Sequence, residues 1–153
     1  MKEQKLYAYP QIMFDMIATD NEWNINFPEN VAIISICDVD CLNHLFKENN
    51  KHILNVDFND VSENEENFID DNTAKTIVDF IDNNIDNDFY IHCSAGKSRS
   101  QAVVRYILDI YQFNNWTIRY SNPCITPNID ILCKLKRIKY EKEGLFLNKL
   151  EAE

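Results

Sequence analysis

Nothing in this 153-residue chain approaches the ~20 consecutive apolar residues that a membrane-spanning helix needs. The N-terminus carries no secretory pattern, and no internal repeat is visible. Positive charge is in short supply: 15 Lys and Arg stand against 25 Asp and Glu, a net charge of −10. That balance argues against non-specific binding to nucleic acid or to anionic membranes. The five cysteines, at positions 37, 41, 93, 124 and 133, form no Cys-x2-Cys pair, which removes the usual zinc frameworks. Free thiols in a chain of this size fit a reducing compartment, so the expected location is cytoplasmic. Glycine is nearly missing, with only two in the chain, Gly96 and Gly144. A glycine in such a sequence marks a place where the backbone requires one.

What remains is an ordinary globular composition, 45% apolar and 26% charged, at a length that fits one domain over residues 1–153. Residues 5–10 read as a first strand closed by Pro10, followed by a short helix over 11–17. Val31–Cys37 is a near-continuous apolar run, the pattern of a central strand covered on both faces. A short helix is expected over 38–47. Ile53–Phe58 alternates Leu54, Val56 and Phe58 with Asn55 and Asp57, a half-buried strand. Residues 61–72, rich in Asp, Glu and Asn, read as a loop. Asn72 or Thr73 is placed to cap a helix with the stripe Ala74, Ile77, Val78 and Ile81. A last helix is expected over 129–139 behind Pro127 and Asn128, with Gly144 ending it. Strands alternating with helices predict an α/β fold, a central, mostly parallel sheet of four or five strands with helices on both faces. Ligands of such sheets bind beyond the carboxyl ends of the strands. Cys37, Asp57 to Asp60 and Cys93 all fall at or near those ends.

The densest chemistry lies in Tyr90–Ser100, Tyr-Ile-His-Cys-Ser-Ala-Gly-Lys-Ser-Arg-Ser. A short β-prone run enters it, and a helix with Ala102, Val103, Tyr106, Ile107 and Ile110 on one face leaves it. A turn feeding a helix N-terminus offers several N–H groups at the positive end of the helix dipole, a cradle for phosphate. Ser94, Ala95, Gly96, Lys97 and Ser98 form that cradle. Cys93 stands at its mouth, where such surroundings favour the thiolate, the nucleophilic form. Arg99 can bring a planar fork over the loop to meet two phosphate oxygens, and Ser100 can offer its hydroxyl to the sulfur. His92 either holds the loop from behind or is a core histidine.

The spacing His92-Cys93-(x)5-Arg99-Ser100 resembles the signature of the cysteine-dependent protein tyrosine phosphatases, and the short chain is similar to their dual-specificity branch. The run from Ser121 to Asn128 resembles the Ser-Pro-Asn segment ahead of the last helix in that branch. The resemblance implies a tyrosine-phosphatase-like fold. It also implies hydrolysis of phosphomonoesters through a phosphocysteine intermediate, on a phosphorylated protein, with no metal or other cofactor. Cys93, Arg99 and Ser100 would be catalytic, and the cradle residues would bind substrate.

The family's general acid is an Asp just past the preceding strand, a little over thirty residues before the Cys. Asp60, 33 residues before Cys93, fits best; Asp57, 36 before, and the acids from Glu63 to Asp71 are the alternatives. Lys97 resembles a basic residue that meets extra phosphates in a related phosphoinositide phosphatase. Cys37 lies where a related lipid phosphatase supplies a redox partner to its nucleophile. The alternatives to a protein phosphatase are therefore a phosphoinositide phosphatase of the same superfamily or a phosphate-binding module without turnover. A rhodanese-like sulfur carrier fits the Arg-Ser ending poorly, and an RNA 5′-triphosphatase fits the net charge poorly.

Overall fold

A computed structural model describes residues 3–13, 31–41, 46, 49–120 and 125–144. Five strands, β1 (Glu3–Pro10), β2 (Val31–Cys37), β3 (Ile53–Asp57), β4 (Asp88–Cys93) and β5 (Asn115–Tyr120), form one sheet in the order β3-β2-β4-β1-β5. Every pairing is parallel, as the α/β expectation requires. Three longer helices are present among the described residues: α1 (Asp71–Asn83) and α2 (Arg99–Ile110) between strands, and α3 (Ile129–Glu143) after β5.

The two-residue period of the strands sorts their side chains. Leu6 and Ala8, Ala32, Ile34 and Ile36, Leu54 and Val56, and Phe89 and Ile91 belong to one core with the apolar stripes of all three helices. α3 packs against both α1 and α2, so the described helices share one face of the sheet. On the other face Val31, Ile33 and Phe46 pack with Tyr9, Ile53 and Tyr90, and the Tyr7 and Tyr90 rings stack at 4.3 Å. All seven residues of β2 are buried, which explains its unbroken apolar run. The helices expected over 11–17 and 38–47 lie largely outside the described residues. Within them, residues 11–13 are helical and residues 38–41 make a turn closed by Cys41 N–H donating to Asp38 O at 3.0 Å.

The elements differ from the sequence reading in several places: β1 begins at Glu3 instead of residue 5, and β3 ends at Asp57 instead of Phe58. The cap of α1 is Asp70, whose carboxylate accepts from Thr73 N–H at 2.7 Å, rather than Asn72 or Thr73. Asp70, Asn72 and Thr73 are all competent caps; burial of Ile69 beside Ala74 fixes where the chain turns into the helix. α3 runs on past 139 to Glu143, supported by Arg137–Glu141 and Lys139–Glu143 ion pairs one turn apart. Gly144 then ends it in the left-handed conformation, φ 72°. β5 was not anticipated. It is an edge strand paired only to β1, and Trp116 and Ile118 are only half-buried against the core, which leaves a weak alternation signal.

The parallel order brings the carboxyl ends of β2, β3, β4 and β1 to one rim. Cys37 is level with Asp57, Ser35 with His92, and Pro10 with Cys93.

Candidate active site

Cys93 is the last residue of β4, and Arg99 is the first of α2, so residues 94–98 make the whole connection. That connection is pinned from outside through its carbonyls. Ser94 O accepts from Gln11 N–H at 3.3 Å, Lys97 O from Thr126 N–H at 2.8 Å, and Ser98 O from Asn128 N–H at 3.2 Å and Ala102 N–H at 2.9 Å. Gly96 O accepts from the buried Gln101 Nε2 at 3.1 Å. In a trans peptide the C=O and the next N–H point in opposite directions. Carbonyls at 96, 97 and 98 bonded to these partners turn the N–H groups of Lys97, Ser98 and Arg99 the opposite way, away from them.

Gly96 has to be glycine on two counts. Its φ is +70°, and a Cβ built on it would stand 2.6 Å from Pro10 N and 2.7 Å from the Tyr9 carbonyl carbon. Neither contact can be relieved by a side-chain rotation, because both are backbone. Gly96→Ala is expected to lower unfolding free energy by about 2 kcal/mol, read from urea denaturation. A loss within ~0.5 kcal/mol would show that the loop does not press on β1.

Cys93 is 3% exposed, at the floor of the loop, with its sulfur 3.2 Å from Ser100 Oγ. Arg99 is 4% exposed, and its guanidinium is held inside the site. Nη1 donates to Asp38 Oδ1 at 2.6 Å and to Phe58 O at 2.8 Å; Nη2 donates to Ser94 Oγ at 3.1 Å. A guanidinium has five N–H groups. Three contacts use three of them, leaving Nε–H and one Nη2–H without a partner among the described residues. Two donors are what a fork needs to grip two oxygens of one anion.

Asp38, one residue past β2, was not singled out in the sequence. An acid at the carboxyl end of a strand beside the cradle was the only available signal.

Asp60 reaches the loop. Its Oδ1 accepts from Ser98 Oγ at 2.7 Å and from Asn128 Nδ2 at 2.9 Å. Four of the alternative acids are placed elsewhere. Asp57 lies on the face of the sheet opposite Cys93, beside Cys37. Glu65 accepts from Ser62 N–H, and Asp70 caps α1. Asp71 pairs with Lys134 and Arg137, and the Lys134 hydrogen bond holds its carboxyl below the usual range. Lys97 is exposed on the loop. His92 is buried on the opposite face, with Nε2 2.5 Å from Ser35 Oγ, and ties β4 to β2 behind the cradle.

The redox role suggested for Cys37 is not supported by its position. Side chains alternate along β2, so Ile36 faces the helices and the Cys93 side while Cys37 faces away. Its thiol neighbour is Cys41, not Cys93. Burial first, and then the neighbouring Cys41 thiol, push the Cys37 thiol up to about 12. At pH 8 its thiolate fraction, and so its alkylation by iodoacetamide in the folded protein, should fall below that of an ordinary exposed thiol by about 10³-fold. Mass spectrometry of a time course checks this against the exposed Cys133. Comparable labelling of the two would show that Cys37 is not shielded.

A sulfur, the N–H groups of the connection, a guanidinium with two donors to spare and, from the chain past β3, the Asp60 carboxylate thus meet at one place. Cys124 lies outside the described residues, as do Ser121 to Pro123 of the segment leading to α3. Comparison with family models, with curated proteins and with solved structures returns no match.

Proposed function

We propose that this chain hydrolyses phosphomonoesters through a phosphocysteine intermediate, as a member of the cysteine-dependent tyrosine phosphatase superfamily of the dual-specificity type, acting on phosphorylated protein. The observation that carries the reading is the state of Arg99. It is buried beside Cys93, fixed by three contacts, and left with a two-donor fork. A surface arginine serving only as a helix charge would not be held in this way.

In this reading the loop N–H groups and the Arg99 fork hold the non-bridging oxygens of the phosphoryl group. The Cys93 thiolate attacks phosphorus in line with the ester oxygen. A sulfur–phosphorus bond forms, the phosphorus–oxygen bond breaks, and Asp60 gives its proton to the departing oxygen. Water then attacks phosphorus, Asp60 takes its proton, and the sulfur leaves as thiolate. Ser100 Oγ, 3.2 Å from the sulfur, donates to it as negative charge returns. The fixed donors supply the charge stabilisation at each transfer.

Hydrolysis of p-nitrophenyl phosphate in the presence of a chelator tests the reading. Steady turnover that disappears in Cys93→Ser is the expected result. Absence of turnover in the native chain, with inorganic phosphate still bound, would instead make it a phosphate-binding module. Among the described residues no helix is long and apolar enough to cross a membrane.

A further inference from the structure

The stretches around the cradle carry a charge balance that the helices do not. They are residues 11–13 past β1, 38–41 past β2, 58–67 past β3 and 94–98 past β4, with 125–130 leading into α3. Hydrogen bonds tie them together. Gln11 N–H donates to Ser94 O at 3.3 Å, Thr126 N–H to Lys97 O at 2.8 Å, Val39 N–H to Asn59 Oδ1 at 3.0 Å and Glu63 N–H to Asp130 Oδ2 at 3.1 Å. Seven residues of these stretches are acidic and one, Lys97, is basic. Asp38 is matched by Arg99, and Asp60 belongs to the site. Asp40, Glu63, Glu65, Glu66 and Asp130 remain, and none of them has an ion pair among the described residues. On the helices, by contrast, Asp71 is matched by Lys134 and Arg137, and Asp82 by Lys139 and Lys142.

The same rim is apolar between its charges. Five large apolar side chains stand exposed among the described residues, and three of them, Ile12, Val39 and Ile129, lie on these stretches. Each is next in sequence to a residue that bonds the cradle or Arg99: Gln11, Asp38 and Asn128.

We propose that the site takes a phosphorylated polypeptide with basic residues flanking the phosphate, and not an inositol phospholipid; this rests on the phosphatase reading above. The anion position itself stands on Arg99, 4% exposed and with two donors unused, and not on the acids. The acids decide what may surround that anion. A headgroup with further phosphates, or the anionic surface of a bilayer, would set like charge against five carboxylates with Lys97 alone to answer them. A polypeptide with Lys or Arg beside its phosphorylated residue brings the opposite charge to the same place. Its other side chains can cover Ile12, Val39 and Ile129, which a sugar ring cannot do as well. Exposed ion pairs are individually weak, so the discrimination comes from the summed field. It should appear in capture of substrate, as kcat/KM, and fade with salt.

The test compares three phosphotyrosine peptides of one sequence, with lysines, serines or glutamates on either side of the phosphotyrosine. A soluble short-chain phosphoinositide and p-nitrophenyl phosphate, which has no flanks, complete the set. At about 20 mM ionic strength kcat/KM for the lysine peptide should exceed that for the glutamate peptide by about 10- to 100-fold, with the serine peptide between. At about 0.5 M salt the gap should close to within about threefold. Asp40→Lys combined with Glu63→Lys changes two exposed side chains outside the reacting set. That double variant should shrink the low-salt gap by about threefold or more while turnover of p-nitrophenyl phosphate holds.

Equal use of the three peptides, a gap untouched by salt or by the double variant, or a phosphoinositide used better than the lysine peptide would each overturn the inference. All of these leave the phosphatase reading standing, provided p-nitrophenyl phosphate is cleaved and Cys93→Ser abolishes the cleavage. A native chain that cleaves none of the substrates overturns that reading and the inference with it.

Discussion

Cys93→Ser is expected to lower turnover of p-nitrophenyl phosphate by about 10⁴-fold or more, since on the proposed mechanism it removes the nucleophile and with it the covalent route. A serine hydroxyl at neutral pH is an alcohol, and it would need a general base to attack. The nearest histidine in sequence, His92, cannot supply one: it lies on the other face of the sheet, bonded to Ser35. The fold should tolerate the change. Serine is smaller than cysteine by little, and Ser100 Oγ stands ready as a hydrogen-bond partner where the sulfur was. A thermal midpoint close to the native value, together with retained binding of a phosphotyrosine peptide by calorimetry, would confirm that chemistry and not structure has been lost. Residual turnover within tenfold of native would mean that another group attacks phosphorus. Because that variant is expected to bind without turning over, it also suits capture of the physiological substrate.

Asp60→Asn should cut kcat/KM on esters with poor leaving groups by about 10²–10⁴-fold, the usual span for a general acid. The substitution is conservative in shape. With its side-chain oxygen in place of Oδ1, Asn still accepts from Ser98 Oγ and Asn128 Nδ2, so the loop keeps its anchors. What disappears is the proton. The deficit should therefore shrink as the leaving group becomes more acidic, and binding of inorganic phosphate should persist. Asp57→Asn serves as the comparison. Its carboxylate lies on the far face beside Cys37, and loss of activity there with Asp60→Asn unimpaired would move the acid to position 57.

The two variants probe different layers of one arrangement. Cys93 and Arg99 are placed by the strand, turn and helix they terminate, whereas Asp60 arrives from another strand and is held only by side-chain bonds. Arg99 also draws on distant chain, through Asp38 after β2 and Phe58 O after β3. Carbonyl and carboxylate together fix its Nη1, so the fork presented to an anion depends on two neighbouring strand ends.

Legibility in the sequence followed from the range over which each feature is decided. β2 was read to its exact ends because a strand buried on both faces is apolar at every position. β4, the cradle and the start of α2 were read from eleven adjacent residues, since strand, glycine turn and helix stripe are local patterns. Asp57 was assigned to the polar face of β3 by alternation alone, and the sheet keeps it there. β5 escaped because an edge strand with half-buried Trp116 and Ile118 carries little pattern. The cap of α1 shifted to Asp70 because burial of Ile69, a tertiary fact, chooses among equivalent polar residues.

By itself, then, the order of residues determined an α/β chain with a cysteine and an arginine set on one short loop, because backbone preference and hydrophobic period act over a few positions. Only the folded sheet decided what surrounds them. The order β3-β2-β4-β1-β5 brings Asp38, Phe58 O and Asp60 to the cradle, turns Cys37 to the opposite face, and lets Asn128 reach across from the last helix. These contacts join residues dozens of positions apart. They form because strands pair side by side and helices pack over them, and no local run of sequence contains that geometry.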